Sequence, residues 1–266
     1  MTGSAGDAAY RFDDGAAYER FMGRWSRGAG EVFLEWLAPA PGACWLDVGC
    51  GTGSFTELIV DRCAPSAVSA IDPERAQVDH ASNRPVGQQV QFRVGDAQAL
   101  PFAGRSFDVV ASALVLNFVP DPELALLEMV RVARSGAIVG AYVWDFAAEL
   151  SPTWPMRLGL RELGVAIAPT PGAENSRLSA LKTSFEHAGL KDVTTRSIDV
   201  TSRFSDFEDF WISQTPAFNP IARKIAELAM NDRTRLIEAV RAKVLRPDGS
   251  VEYVARANAV SGRAPG

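Results

Sequence analysis

Apolar positions from Ala16 to Leu37, including Phe21, Met22, Trp25, Phe33 and Leu37, fall near helical spacing. Gly28-Ala29-Gly30 interrupts the series, so two short helices are expected before Pro39-Ala40-Pro41-Gly42 breaks the chain. A regular alternation follows. Short apolar runs at Cys44–Val48, Ala67–Ile71, Val90–Val94, Phe107–Val115 and Ala137–Trp144 read as strands. Between them, Ser54–Arg62, Pro73–Asn83 and a segment from Asp121 to about Ala133 read as helices. Pro73 is placed to open the second of these and Asp121 to cap the third. Phe107–Val115 is almost wholly apolar, as expected of a strand covered on both faces. Strands separated by helices imply right-handed crossovers and a parallel sheet, hence a doubly wound α/β fold.

After Trp144 the alternation stops. Asp145–Ala173 reads as a partly helical excursion, Leu178–Ala188 as a helix stopped by Gly189, and Asp192–Arg203 as a long strand. Asp206–Leu245 is helical with breaks near Pro216 and Pro220, and Val251–Val260 alternates as a last strand. The helical block between the two late strands is expected to cap the site. Three stretches result: residues 1–15, Gly/Ala/Asp-rich and expected to be mobile; 16–145, a ligand-binding core with N-terminal helices; and 146–266, the rest of the sheet with the cap.

Composition narrows the class. The 266 residues are 47% hydrophobic and 22% charged, an ordinary globular balance that argues against disorder. No apolar run approaches the roughly 18 residues of a membrane span. The N-terminus lacks a basic start followed by an apolar stretch, so a cytoplasmic location is expected. Net charge is −5, which gives no broad track for nucleic acid, although residues 221–266 are rich in basic side chains. Cys44, Cys50 and Cys63 lack metal-binding spacing and only two histidines occur, so neither structural zinc nor a disulfide framework is expected. Cys44 and Cys63 read as small buried apolar residues.

Chemistry concentrates in Trp45-Leu46-Asp47-Val48-Gly49-Cys50-Gly51-Thr52-Gly53-Ser54. A strand runs into a turn with glycine at every second position, then into a helix. Such a turn lets a ligand lie against bare backbone beyond the strand ends. A dinucleotide fingerprint would want its third glycine at position 54, where Ser54 stands. The second strand ends in Asp72-Pro73, a carboxylate placed either to accept from ribose hydroxyls or to cap the next helix. The third ends in Gly95-Asp96-Ala97, with Leu100-Pro101-Phe102 behind, a turn suited to an adenine or simply a surface turn.

With Ser106-Phe107-Asp108-Val109-Val110 and Leu116-Asn117-Phe118-Val119-Pro120-Asp121-Pro122 in order after these motifs, the sequence resembles a class I S-adenosylmethionine (SAM)-dependent methyltransferase. It is similar to the type 11 domain group, which includes the ubiquinone/menaquinone-biosynthesis methyltransferases. The resemblance covers residues 16–145. It implies a Rossmann-like sheet of order 3-2-1-4-5-7-6 with the last strand antiparallel, the two late strands filling the final slots. It implies SAM as cofactor and a small-molecule acceptor, with the methylated atom and oligomeric state open. Gly49, Gly51 and Gly53 would underlie the methionine part and Asp47 would face its ammonium. Asp72 would hold the ribose, Asp96 and the Ala97 backbone would read adenine, and Ala113-Leu114 would line the sulfonium side. Cys50 and Pro73 lie inside the same motifs and count with the cofactor contacts. Tyr18 and Arg24 belong to a segment, Tyr18–Trp25, resembling one that folds over the cofactor in relatives.

Two departures stand out. Asn117-Phe118 replaces a frequent pair of histidines, and Arg134-Ser135-Gly136 replaces a Pro-Gly-Gly turn. Tyr18, Tyr142, Asp145 and His187 are candidate bases, but no catalytic residue is assigned. Two alternatives are a nicotinamide-dependent oxidoreductase and a non-catalytic SAM-binding regulatory module.

Overall fold

Side chains alternate across the central strands, and each strand therefore feeds two cores. The computed structural model describes residues 19–266; the expectations for residues 1–15 and for Tyr18 lie outside them. Seven strands form one sheet: β1 (Cys44–Val48), β2 (Ala67–Asp72), β3 (Val90–Val94), β4 (Phe107–Ala113), β5 (Ala133–Trp144), β6 (Lys191–Phe204) and β7 (Val251–Arg263). Their order is 3-2-1-4-5-7-6, with β7 antiparallel to both β5 and β6. The remaining pairs, β1 with β2 and β4, β2 with β3, and β4 with β5, are parallel.

A π-helical turn, Glu19–Gly23, leads into α1 (Arg24–Leu37). The crossover helices are α2 (Ser54–Cys63), α3 (Arg75–Ser82) and α4 (Pro122–Val132); α5 (Trp154–Glu162) and α6 (Leu178–His187) follow β5. Between β6 and β7 stand α7 (Phe207–Gln214), α8 (Pro220–Ala226) and α9 (Met230–Val244). No described helix is long and apolar enough to cross a membrane.

Trp45, Val109, Ile138 and Tyr142 point into the core beneath α1, α2 and the cap helices, where Phe33, Phe55, Leu58 and Phe210 meet them. Their neighbours Leu46, Val110, Val139 and Ala141 point the other way, onto Leu126, Met129 and Phe185 of α4 and α6. Fully buried aromatics such as Trp45 and Phe33 each contribute on the order of 2–3 kcal/mol through the apolar surface they remove from water.

Three local expectations are corrected. Gly28 and Gly30 do not break the first helix, because α1 runs straight through them. A Cβ at Gly28 would lie 2.9 Å from Val200 Cγ1, and one at Gly30 2.8 Å from Leu58 Cδ1. These glycines admit close neighbours rather than end the helix. Pro73 does not open α3, which starts at Arg75 after an extended Glu74, whose amide is held by Asp72 Oδ1 at 2.9 Å. Finally, β5 begins at Ala133 and runs back through Arg134-Ser135-Gly136, with Arg134 paired to Asp108 at 2.7 Å. Asp121 does cap α4, accepting from the Leu124 amide at 2.9 Å ahead of Pro122. Cys63 is buried as expected, whereas Cys44 at the start of β1 is only half-buried.

Candidate functional site

All five parallel strands end on the same side, so the turns that follow them share one edge of the sheet. After β1 the chain enters the glycine turn. The amides of Gly49 and Cys50 both donate to the Ile71 carbonyl, at 2.8 and 2.9 Å, anchoring the turn to β2. Gly49 has φ 80°, and a Cβ there would lie 2.5 Å from Val115 Cγ2, so the β4 exit leaves no room for a side chain. Gly51 has φ 51°, and no atom of the described residues stands within 4 Å of where its Cβ would be. The space above Gly51 is open, and it forms part of a cavity of about 310 Å³. α2 begins just beyond, at Ser54, and presents its amino end to the turn.

Asp72 ends β2 and is only 8% exposed. Its Oδ2 accepts from the Gly51 amide and its Oδ1 from the Glu74 amide, both at 2.9 Å. Burial pushes its carboxyl upward, against the two amide bonds that favour the charged form. One bond per oxygen leaves lone pairs for further donors. Asp96, at the β3 exit, is exposed and accepts from the Gln98 amide at 2.9 Å, while Ala97 beside it is buried. After β4, Leu114 adopts φ 65°, a left-handed conformation that a bulky side chain rarely takes, with its amide on the Tyr142 carbonyl at 2.8 Å.

The N-terminal turn closes the cavity from above. Glu19 Oε1 accepts from Thr52 Oγ1 at 2.5 Å and from Ser54 Oγ, on the glycine turn itself. Arg84 reaches Glu19 at 3.4 Å and Glu57 at 2.6 Å. On the other side, Gln214 of α7 donates to the Phe21 carbonyl at 3.2 Å, and Phe218 meets the Phe21 ring edge-on at 5.8 Å. The turn is therefore tied to both the glycine turn and the cap.

Of the residues singled out in the sequence, Gly49, Cys50, Gly51, Asp72, Pro73, Asp96, Ala97, Ala113 and Leu114 line the cavity together. Asp47, Gly53 and Arg24 do not line it. Asp47 is fully buried beneath the turn, accepting from Thr56 Oγ1 at 2.5 Å, and burial raises its carboxyl to about 7. A Cβ at Gly53 would face Ala81 Cβ at 3.0 Å rather than open space. Arg24 donates to the Arg203 carbonyl at 2.8 Å and lies over the Phe204 ring, tying α1 to β6. Among the candidate bases, Tyr142 lines the cavity. Asp145 turns away to accept from the Ala148 amide at 3.0 Å, and His187 lies exposed at the end of α6.

Several lining residues escaped sequence reasoning: Phe21, Met22, Phe118, Phe146 and the Ser151–Thr153 segment. Phe21 and Met22 carried a signal, since their segment was the one expected to fold over the cofactor. Ser151–Thr153 carried none.

Strand tips, the glycine turn and the buried Asp72 carboxylate share one cavity at one edge of a doubly wound α/β sheet. The methyltransferase domain family matches residues 46–140. A malonyl-[acyl-carrier protein] O-methyltransferase of Serratia marcescens is 31% identical over 175 residues, which cover 63% of this chain and 67% of that protein. An uncharacterised protein of Mycobacterium tuberculosis is 34% identical over 115 residues, covering 43% of this chain and 42% of its own length. The chain thus spans under half the length of that relative. The phosphoethanolamine N-methyltransferase 2 of Haemonchus contortus, solved with SAM, superposes with a TM-score of 0.59 at 17% identity. That superposition covers 97% of this chain and 58% of the other. The chain belongs to the SAM-dependent methyltransferase family.

The site fits that family's cofactor on two observations. The open space over Gly51 is a cradle that a Cβ would fill. Asp72 is a buried carboxylate with acceptor capacity to spare, on the neighbouring strand tip.

Proposed function

We propose that this protein transfers the methyl group of SAM to a small-molecule acceptor. The observation that carries the reading is a single cavity running along the tips of β3, β2, β1, β4 and β5, with the glycine turn at its middle. Residues 16–145 act as the cofactor-binding core, and residues 146–266 complete the sheet and supply the cap.

Asp72 would hold the ribose hydroxyls, while Asp96 and the Ala97 backbone would take the adenine. The backbone of Gly49, Cys50 and Gly51, at the amino end of α2, would receive the methionine part, and Pro73 would shape the turn beside the ribose. Ala113 and Leu114 would line the side facing the sulfur. Asp47 supports the turn from below, as Gly53 does at the start of α2. Arg24 helps fix the closing segment. When bound, SAM supplies a methyl group on a positively charged sulfur, already electrophilic. The chain's own residues then have to position the acceptor and keep water out, tasks that the closing turn and the aromatic cap perform.

No Asp, Glu, His or Lys among the described residues lines the cavity beyond the glycine turn, toward β4 and β5. The curated relatives differ in the acceptor for which they are named: one is a malonyl-[acyl-carrier protein] O-methyltransferase and another a demethylmenaquinone methyltransferase. A nicotinamide oxidoreductase is disfavoured by Ser54, which stands where the dinucleotide turn needs its third glycine.

Calorimetric titration tests the reading. SAM and S-adenosylhomocysteine should bind with micromolar or tighter affinity and raise the melting temperature, and NADH should do neither. Binding of NADH without SAM would reverse the assignment.

A further inference from the structure

Among the described residues, the charged ones that line the cavity are confined to one end. Asp72, Glu74 and Asp96 stand at or just after the tips of β2 and β3. From the glycine turn onward, toward β4 and β5, no described lining residue carries a charge of either sign. Phe118 and Val119 form one wall there, and Tyr142, Trp144 and Phe146 at the β5 exit form the next. Phe118 and Phe146 meet edge-on at 6.2 Å, closing that corner. Phe21, Met22 and Ser26 of the N-terminal turn and α1 also line the cavity, and the polar character of this end comes from the uncharged hydroxyls of Tyr142, Ser151 and Thr153 and the indole N–H of Trp144.

We infer that the β4–β5 end selects an uncharged acceptor with an aromatic or otherwise apolar body, and that it rejects carboxylates and phosphates. This rests on the reading of the β2–β3 end as the cofactor's adenosine site. The physical reason is desolvation. A carboxylate or phosphate leaving water for an aromatic chamber loses its hydration and gains no lysine, arginine or histidine from the described walls. A neutral ring loses little and gains close contact with edges and faces already in place. Aromatic walls also receive cations well, but a cationic acceptor would have to approach a sulfur that is itself positive. The small hydroxyls suffice to orient a neutral oxygen or nitrogen without demanding a charge.

The test uses the full chain and three probes of one shape: 2-naphthol, 2-naphthoate and 2-naphthyl phosphate, titrated calorimetrically at pH 7 after saturation with S-adenosylhomocysteine. 2-Naphthol is expected to bind at least about 30-fold more tightly than either anion, in line with the cost of burying an unpaired charge. Equal or tighter binding of 2-naphthoate overturns the acceptor class, as does failure of all three probes to bind the loaded protein. Absence of the initial S-adenosylhomocysteine isotherm overturns the cofactor reading instead, so the two failures are told apart in one experiment. Val119→Arg then puts a guanidinium on a half-buried wall position. It should shift the naphthoate-to-naphthol affinity ratio toward the anion by about tenfold, the scale of one partly buried charge pair. Phe146→Lys, also half-buried, gives the same readout should the first variant fold poorly. An unchanged ratio in a folded variant would show that the walls do not set charge selection.

Discussion

Asp72 Oδ2 accepts a hydrogen bond from the Gly51 amide at 2.9 Å, so the carboxylate proposed to hold the ribose also sets the shape of the turn proposed to hold the methionine part. One side chain thereby couples two subsites, and its second oxygen fixes the Glu74 amide at the entry to α3. Asp72→Ala should therefore cost more than lost ribose bonds. SAM affinity is expected to fall by 100-fold or more, given about 1.5–3 kcal/mol for each bond to a charged group. Asp72→Asn, which keeps an acceptor for one amide, should lose about tenfold. Calorimetric titration of both variants checks this, and equal losses would show that the coupling is not there.

Gly49 and Gly51 both lie at positive φ, yet replacement by alanine should separate them. At Gly49 the added methyl meets Val115 within 2.5 Å, so Gly49→Ala should destabilise the fold by about 2–4 kcal/mol, backbone strain and overpacking combined. At Gly51 the methyl meets no atom of the described residues, and only the strain of about 1 kcal/mol remains. Gly51→Ala should instead lower SAM affinity, by tenfold or more, because the methyl occupies the cradle. Urea unfolding and SAM titration of the two variants read the contrast directly.

Much of this was legible in the amino-acid order, for identifiable reasons. Strands such as Phe107–Ala113 are apolar on both faces, and turns such as Gly49–Gly53 must be glycine-rich. Both are local signals that one sequence displays. Less legible were positions decided by distant packing. Gly28 and Gly30 read as helix breakers, but they serve contacts with Val200 and Leu58, which lie far along the chain. Asp145 had the right position at a strand end for a base, yet its side chain closes its own turn by bonding the Ala148 amide. Ser151–Thr153 reach the cavity only because the segment after β5 folds back over it, with the Pro152 carbonyl held by Tyr253 Oη at 2.7 Å. No spacing rule announces a bond between residues so far apart.

Glu19 is the point at which the closing turn grips the glycine turn, through Thr52, Ser54 and Arg84. Glu19→Ala removes all three contacts at once while leaving the cavity walls in place. SAM dissociation is expected to quicken by about tenfold, with a stability loss of only about 1–2 kcal/mol, since the pairs are partly exposed. Stopped-flow displacement by excess S-adenosylhomocysteine measures the first quantity. Hydrogen exchange at residues 19–23, expected to rise in the variant, reports whether the turn has loosened. A dissociation rate equal to that of the unmodified protein would remove the turn from the binding step.

Asp47 makes folding stability depend on pH in a direction opposite to that of a salt-bridged carboxylate. Burial raises its carboxyl from the ordinary 3.8 to about 7, with Thr56 opposing the shift and Asp72 adding to it. In the unfolded chain the proton leaves near the ordinary value, whereas in the folded chain it stays until about pH 7. Below pH 4 the group is protonated in both states and costs nothing. As pH rises from 4 to 7, the unfolded state alone loses its proton and is progressively favoured, by up to about 4 kcal/mol at 1.36 kcal/mol per unit. Above pH 7 both states are ionised and the loss is complete. Asp47→Asn retains an oxygen to accept from Thr56 and cannot titrate. Its stability relative to the unmodified protein should therefore improve steadily between pH 4 and pH 7 and then level off, whatever constant offset the new amide introduces. Urea unfolding at pH 5, 6, 7 and 8 resolves the slope. Parallel profiles for the two proteins would mean that Asp47 is not the group responsible.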